Sequence, residues 1–179
     1  MLHEEQNVKK KTTNKMKLIP LTKDKFAIVD DDDYDFLMQW KWHLHGGKNS
    51  WYAARSAKLP CKNKQSTILM HRIILGVGNG EFVDHINGDK LDNRRSNLRI
   101  CDQAKNMCNS ERHSKTGYKG VVINNPHLEK PTYMCRVTLY GKTKRICGFK
   151  TAEEAAMAYN KLALELHGEF ARLNEVPQC

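Results

Sequence analysis

The chain has 179 residues, of which 28% are charged, 40% hydrophobic and 8% aromatic, a balance that excludes a disordered polyelectrolyte and allows one ordinary domain or two to three small modules. No apolar run approaches the roughly 18–20 residues of a membrane span, and the lysine-rich first 20 residues lack the apolar stretch of a secretory signal. Neither membrane insertion nor secretion is expected, and a cytoplasmic location is. The net charge of +10 points to a polyanionic partner. That charge is concentrated, because residues 111–150 hold nine basic and two acidic side chains whereas residues 151–179 hold two basic and five acidic ones.

Six cysteines (Cys61, Cys101, Cys108, Cys135, Cys147 and Cys179) show neither CxxC spacing nor a regular interval. They are expected to be reduced thiols, with no structural zinc; a site mixing Cys101 or Cys108 with a histidine is the alternative. Residues 1–17, polar and lysine-rich, read as a disordered basic arm.

Residues 18–69 read as a small β-rich region. Trp40, Trp42 and Leu44 alternate with polar residues, and Gly46-Gly47-Lys48-Asn49 supplies turn chemistry, so 38–56 is predicted to be a hairpin with the tryptophans in the core of its sheet. The run Asp30–Asp33 has no metal-ligand spacing and reads as a solvated turn. Met70 to Val77 is a predicted short helix, stopped by Gly76 or Gly78.

A different pattern begins at Val83. Val83-Asp84-His85-Ile86 ends an apolar stretch with an acid–imidazole pair, Asn87-Gly88 turns the chain, and Leu98-Arg99-Ile100-Cys101 returns as a second strand. Asp102 is a good N-cap for a helix through Gln103, Asn106 and Asn109. Such a ββα unit lets residues at the first strand's end converge with residues on the helix. Hydrolysing a phosphodiester needs a base for water and a cation to neutralise developing charge. The Asp84 carboxylate and the Asn106 side-chain oxygen are hard donors of the kind magnesium or manganese accepts, with Asn109 a competitor for the helix position. The His85 imidazole titrates near working pH, which suits a general base.

The stretch from Asp84-His85-Ile86-Asn87-Gly88-Asp89 to Ser96-Asn97-Leu98-Arg99 resembles the HNH homing-endonuclease motif, and the resemblance covers residues from about 70 to 110. It implies a ββα-metal fold with Asp84 and Asn106 as metal ligands, His85 as general base, and Asn97 rather than Asn93 as the residue that orients His85. It also implies Mg²⁺ as cofactor, with Mn²⁺ as a substitute. Arg94, Arg95 and Arg99 are expected at backbone phosphates, with pairing to Asp89 or Asp92 as the alternative for one or two of them. His71, just ahead of the motif, is read as helix-end packing.

After the linker-like Ser114–Gly117, Val121–Ile123, Tyr133–Tyr140 and Lys144–Phe149 read as three strands, followed by a helix from Thr151 with Glu154 completing a capping box and Gly168 as its stop. Tyr118-Lys119-Gly120-Val121, Ala155-Ala156-Met157-Ala158-Tyr159-Asn160 and Ala171-Arg172-Leu173-Asn174 resemble the Apetala-type domain of plant ethylene-response factors. That resemblance implies a sheet that enters the major groove, braced by the helix. Lys119, Arg136, Thr138, Lys142, Lys144 and Arg145 are then the candidate DNA contacts, Arg136 and Arg145 being the base readers. Val122 and Arg145 depart from the plant pattern, so its recognition sequence does not transfer.

The expected protein is thus α+β: a small N-terminal β-hairpin region (18–69), a ββα-metal nuclease core (70–113) and a three-stranded antiparallel sheet packed on one helix (114–179). The expected function is site-directed cleavage of double-stranded DNA in a phage or bacterial host, by a monomer or homodimer with no small-molecule cofactor. A DNA-binding regulator with an idle nuclease fold and a structure-selective nuclease are the alternatives.

Overall fold

A computed structural model describes residues 15–47, 50–58, 65–110, 114–124 and 126–177. The protein is mixed α+β, with four small antiparallel sheets and four α-helices among the described residues. None of these helices is long and apolar enough to cross a membrane. The chain divides into two compact units, one built from residues 1–70 with 90–95, the other from 71–89 with 96–179.

In the first unit β1 (Met16–Pro20) pairs with β2 (Phe26–Asp30), so Met16 and Lys17 belong to a strand and not to the expected arm, the rest of which lies outside the described residues but for Lys15. Next comes α1 (Asp31–Leu37), where a solvated turn was expected. Carboxylates in a first helical turn meet the positive end of the helix dipole, so the acidic run that repels itself in coil is tolerated there. Asp33 is buried and paired with Arg95, whose Nε and Nη2 donate at 2.8 and 2.7 Å, while Asp30 accepts from the Arg95 backbone N–H at 2.8 Å.

The hairpin runs from β3 (His43–Gly47) into β4 (Ser50–Lys58), and β5 (Gln65–Leu69) adds a third strand. Trp42 is buried and donates its indole N–H to the Leu37 carbonyl at 2.8 Å. Trp40 and Trp51 are only half-buried, with Arg55 and Lys23 over their rings at 4.3 and 4.7 Å. Residues 90–95 join this unit because Ile28 donates to Leu91 O and Asn93 donates to Ile28 O, both at 2.8 Å.

The helix α2 (Met70–Leu75) ends at Gly76, whose φ of +64° suits glycine. In the second unit β6 (Phe82–His85) pairs antiparallel with β7 (Leu98–Cys101), in the register Asp84 opposite Arg99 and His85 opposite Leu98. A short 3₁₀ turn, Arg95–Asn97, leads into β7, and α3 (Gln103–Cys108) follows. Asp102 caps α3 as expected, accepting from the Lys105 N–H at 2.8 Å; that bond and the Tyr140 hydroxyl hold its carboxyl below the usual range.

The rest of this unit is a sheet of β8 (Val121–Asn124), β9 (Thr132–Leu139) and β10 (Lys142–Phe149), with β9 central, packed on α4 (Ala152–His167). Val121, Cys135 and Val137 bury their side chains against Ala155, Ala156, Tyr159 and Ala163. The small alanines let the helix approach closely, and each fully buried valine contributes about 1.5–3 kcal/mol. Gly120 is required here: a Cβ would lie 2.2 Å from the Tyr159 ring and 2.8 Å from the Arg136 carbonyl. Thr151 caps α4, and Asn160 and Asn174 clasp each other, Asn174 also gripping the backbone of Lys119.

Candidate active site

Alternation along β6 should send Asp84 and His85 to opposite faces. Both are nonetheless buried, at 1% and 0% exposure, because the hairpin ends at this point and neighbouring elements close over either side. The Ile86 N–H donates to Asn97 O at 2.9 Å, the Gly88 N–H to His85 O at 2.9 Å, and the Asn87 N–H to Asn97 Oδ1 at 3.0 Å. Asn97 therefore pins the loop that leaves His85, through both its carbonyls. On the His85 ring itself packs His71, edge to face, with centroids 5.0 Å apart. His71 is buried, as helix-end packing requires, and what it packs on is the candidate base.

Arg99 lies across the ladder from Asp84, and its Nε and Nη2 both donate to Asp84 Oδ2, at 2.8 and 2.6 Å. The guanidinium donates its Nη1 to Glu169 O at 2.7 Å and stacks on Phe170, 3.7 Å from the ring centroid. Asn109, the C-cap of α3, points its Nδ2 at Asp84 Oδ1 and Oδ2 (3.0 and 3.1 Å) and at His85 O (2.8 Å). The His85 carbonyl can only accept, so the amide nitrogen must face the site.

Asn106 sits half-buried on α3, three residues before Asn109 and so on the same side of the helix. The structure thus brings Asn109, the competitor for the helix position, to the Asp84 carboxylate, and as a donor. Arg99, expected at a backbone phosphate, is instead turned to Asp84, whereas Glu169 and Phe170 were not found by sequence reasoning. The strands that set Arg99 opposite Asp84 are joined by the long connection 86–97, so no turn residue gives that register, and Glu169, 70 positions beyond Arg99, carries no local signal.

The other basic candidates separate. Arg94 holds Asp92, with Nη2 at 2.6 Å, and Arg95 holds Asp33, both within the first unit. Lys119 is half-buried, its Nζ donating to the Cys108 and Ser110 carbonyls at the end of α3, and burial pushes its ammonium down to about 8. Lys144 pairs with Glu165 of α4 at 2.6 Å, and Lys142 shares its strand parity. Arg136, Thr138 and Arg145 remain on the outward face, Arg136 directly opposite Arg145.

A hairpin with an acid–imidazole pair at its first strand's end, followed by one helix that closes on the acid, is a core of the HNH type. The family model for HNH endonuclease matches residues 69–108. An uncharacterized HNH endonuclease of Acanthamoeba polyphaga mimivirus is 32% identical over 158 residues, which span 84% of this chain and 75% of that protein. No solved structure matches. The chain belongs to the HNH endonuclease family, and is a nuclease by that membership.

Nucleases of this family generally use a divalent metal. Asp84 fits one: Oδ2 is saturated by Arg99 and Asn109, whereas Oδ1, among the described residues, accepts only from Asn109 and keeps a lone pair. Among the described residues no three His, Cys, Asp or Glu side chains cluster as a metal site. The Asp84 carboxylate is a hard oxygen donor, which suits an ion that retains waters and takes substrate oxygens. The nearby Cys101 thiol, pushed up to about 11 by burial, offers no thiolate at neutral pH.

Proposed function

We propose that this nuclease is a site-directed, homing-type endonuclease that hydrolyses phosphodiester bonds of double-stranded DNA in a phage or bacterial host cell. The observation that carries the reading is the adjacency of His85 to a carboxylate whose one oxygen is held fixed and whose other retains acceptor capacity. His85 takes the proton from the attacking water. Asn97 keeps the loop beside it, and so the ring, in place. Asp84 and Asn106 would hold Mg²⁺, or Mn²⁺ in its stead, and the bound ion would supply electrostatic stabilisation of charge developing on the phosphate and the leaving 3′-oxygen. Products would carry 5′-phosphate and 3′-hydroxyl ends.

Delivery to a site falls to the outward face of the β8–β10 sheet, in the manner of the Apetala-type domain that residues 116–174 resemble. Arg136, Thr138 and Arg145 meet the groove there, and the acidic α4 stays away from phosphate. Arg94, Arg95, Lys142, Lys144 and Lys119 already hold carboxylates or carbonyls or lie off that face, so they are secondary contacts. One centre per chain means that a monomer nicks and a double-strand break needs two chains or two visits.

One observation favours a second reading, a DNA-binding regulator with an idle nuclease fold: Asp84 is already neutralised by Arg99, and it and His85 are both buried. A supercoiled-plasmid assay separates the readings. Cleavage with Mg²⁺ that stops on adding EDTA supports the nuclease; footprinting of DNA with no cleavage under any divalent ion leaves the regulator.

A further inference from the structure

The residues after α4 do more than end the C-terminal module. At the turn Gly168–Phe170 the Glu169 carbonyl takes Arg99 Nη1, and the Phe170 ring, itself only 7% exposed, lies under the guanidinium. Two residues on, Arg172 Nη1 donates to the Asn87 carbonyl at 3.2 Å, in the loop that leaves His85. The strap 169–172 therefore touches the β6–β7 hairpin at two points, one beside each member of the acid–imidazole pair.

The geometry of the first contact is unusual. An Arg–carboxylate pair commonly sets two nitrogens on two oxygens. Here both nitrogens converge on Oδ2, and the third faces away to Glu169. With Phe170 below and Glu169 O at one edge, the guanidinium cannot slide to share Oδ1. An exposed Arg99 would be free to swing across and take both oxygens. The strap thus determines which oxygen the arginine occupies.

We infer that Arg99, held by Glu169 and Phe170, is a positioning residue that fixes Asp84 with Oδ1 presented to a divalent cation, so that the C-terminal strap is part of the nuclease centre and not only of the DNA-binding module. This rests on Asp84 being a metal ligand. The partners of a ligating group commonly matter about 10- to 100-fold in metal affinity, and cation–π contacts contribute enough for a threefold to tenfold effect, approximately.

The test is calorimetric titration of the full chain with Mn²⁺ alone, without DNA, alongside circular dichroism to verify folding. Wild type should bind and Asp84→Asn should not. Phe170→Leu, which keeps an apolar filler, should weaken Mn²⁺ binding about threefold to tenfold, Phe170→Tyr should restore it, and Arg99→Lys should weaken it about 10-fold or more. DNA affinity of Phe170→Leu in EDTA should match wild type. Unchanged Mn²⁺ affinity in folded Phe170→Leu and Arg99→Lys, with Asp84→Asn still abolishing binding, overturns the positioning role alone. Tighter binding by Arg99→Lys also overturns it, since Arg99 would then be a competitor. Wild type that binds no Mn²⁺, or Asp84→Asn that still does, removes the ligand reading and this inference with it.

Discussion

At the end of β6, Asp84 and Arg99 face each other across a ladder, opposite in charge, 2.6 Å apart and with 1% and 13% of their side chains exposed. On the outer sheet Arg136 and Arg145 also face each other across a ladder, but they are alike in charge and stand in solvent. Like charges directly opposite are destabilising in a sheet, so the fold by itself gains nothing from that pair. The buried pair costs desolvation and is recovered by good geometry and extra hydrogen bonds. One region holds its groups in fixed positions, as the proposed chemistry requires; the other keeps its charge in solvent, as the proposed capture of a long anion requires.

The sharpest way to break this contrast is His85→Ala. Losing a general base should slow cleavage about 10²- to 10⁴-fold while duplex affinity, measured by anisotropy, stays within about twofold because the base makes little ground-state contact. Parallel loss of binding and cutting would merge the two regions into one. The next effect belongs to the sheet. Arg136→Ala and Arg145→Ala should each cost about 1–3 kcal/mol of site discrimination if the side chain reads a base, or lower the salt slope of log K by about 0.9 if it meets a phosphate. In either case single-turnover cleavage at saturating enzyme should be preserved. If neither discrimination nor slope moves, the outward face is not the footprint.

The smallest effect concerns Lys119, a cation that belongs to neither category, held by carbonyls in a half-buried place. Its folded value of about 8 lies below the ordinary 10.5, so between these values the unfolded chain binds more protons and stability rises with pH. Below about 8 the burial penalty is fully present. Lys119→Met should therefore lack the rise that urea denaturation shows for wild type between pH 8 and pH 10.5. An identical rise in both proteins would assign it to other groups.

Much of this was legible locally. The Asp102 and Thr151 caps, the Gly76 and Gly168 stops, the three C-terminal strands and the acid–imidazole pair at a strand end all follow from residue types acting on their own backbone within a few positions. The acidic run 30–33 was misread because its compensation comes from Arg95, far along the chain. Arg94, Arg95 and Arg99 were expected at backbone phosphates; the alternative of pairing with Asp92 holds for Arg94, two positions away, whereas the partners of Arg95 and Arg99 lie 62 and 15 positions off and left no sign in the sequence.

What the sequence by itself determined is the chemistry available, namely the order of strands and helices from Met70 onward, the ββα segment with Asp84 and His85, and the basic excess in residues 111–150. Only the tertiary structure decided how those groups are deployed: that Asn109 donates to Asp84, that His71 packs on His85, that Lys144 turns to α4 while Arg136 and Arg145 face out, and that Phe170 holds Arg99. Backbone preferences and caps act over one or two helical turns, so they can be read along the chain. Ion pairs and ring contacts act over a few ångströms of space, and the chain must fold before those distances exist.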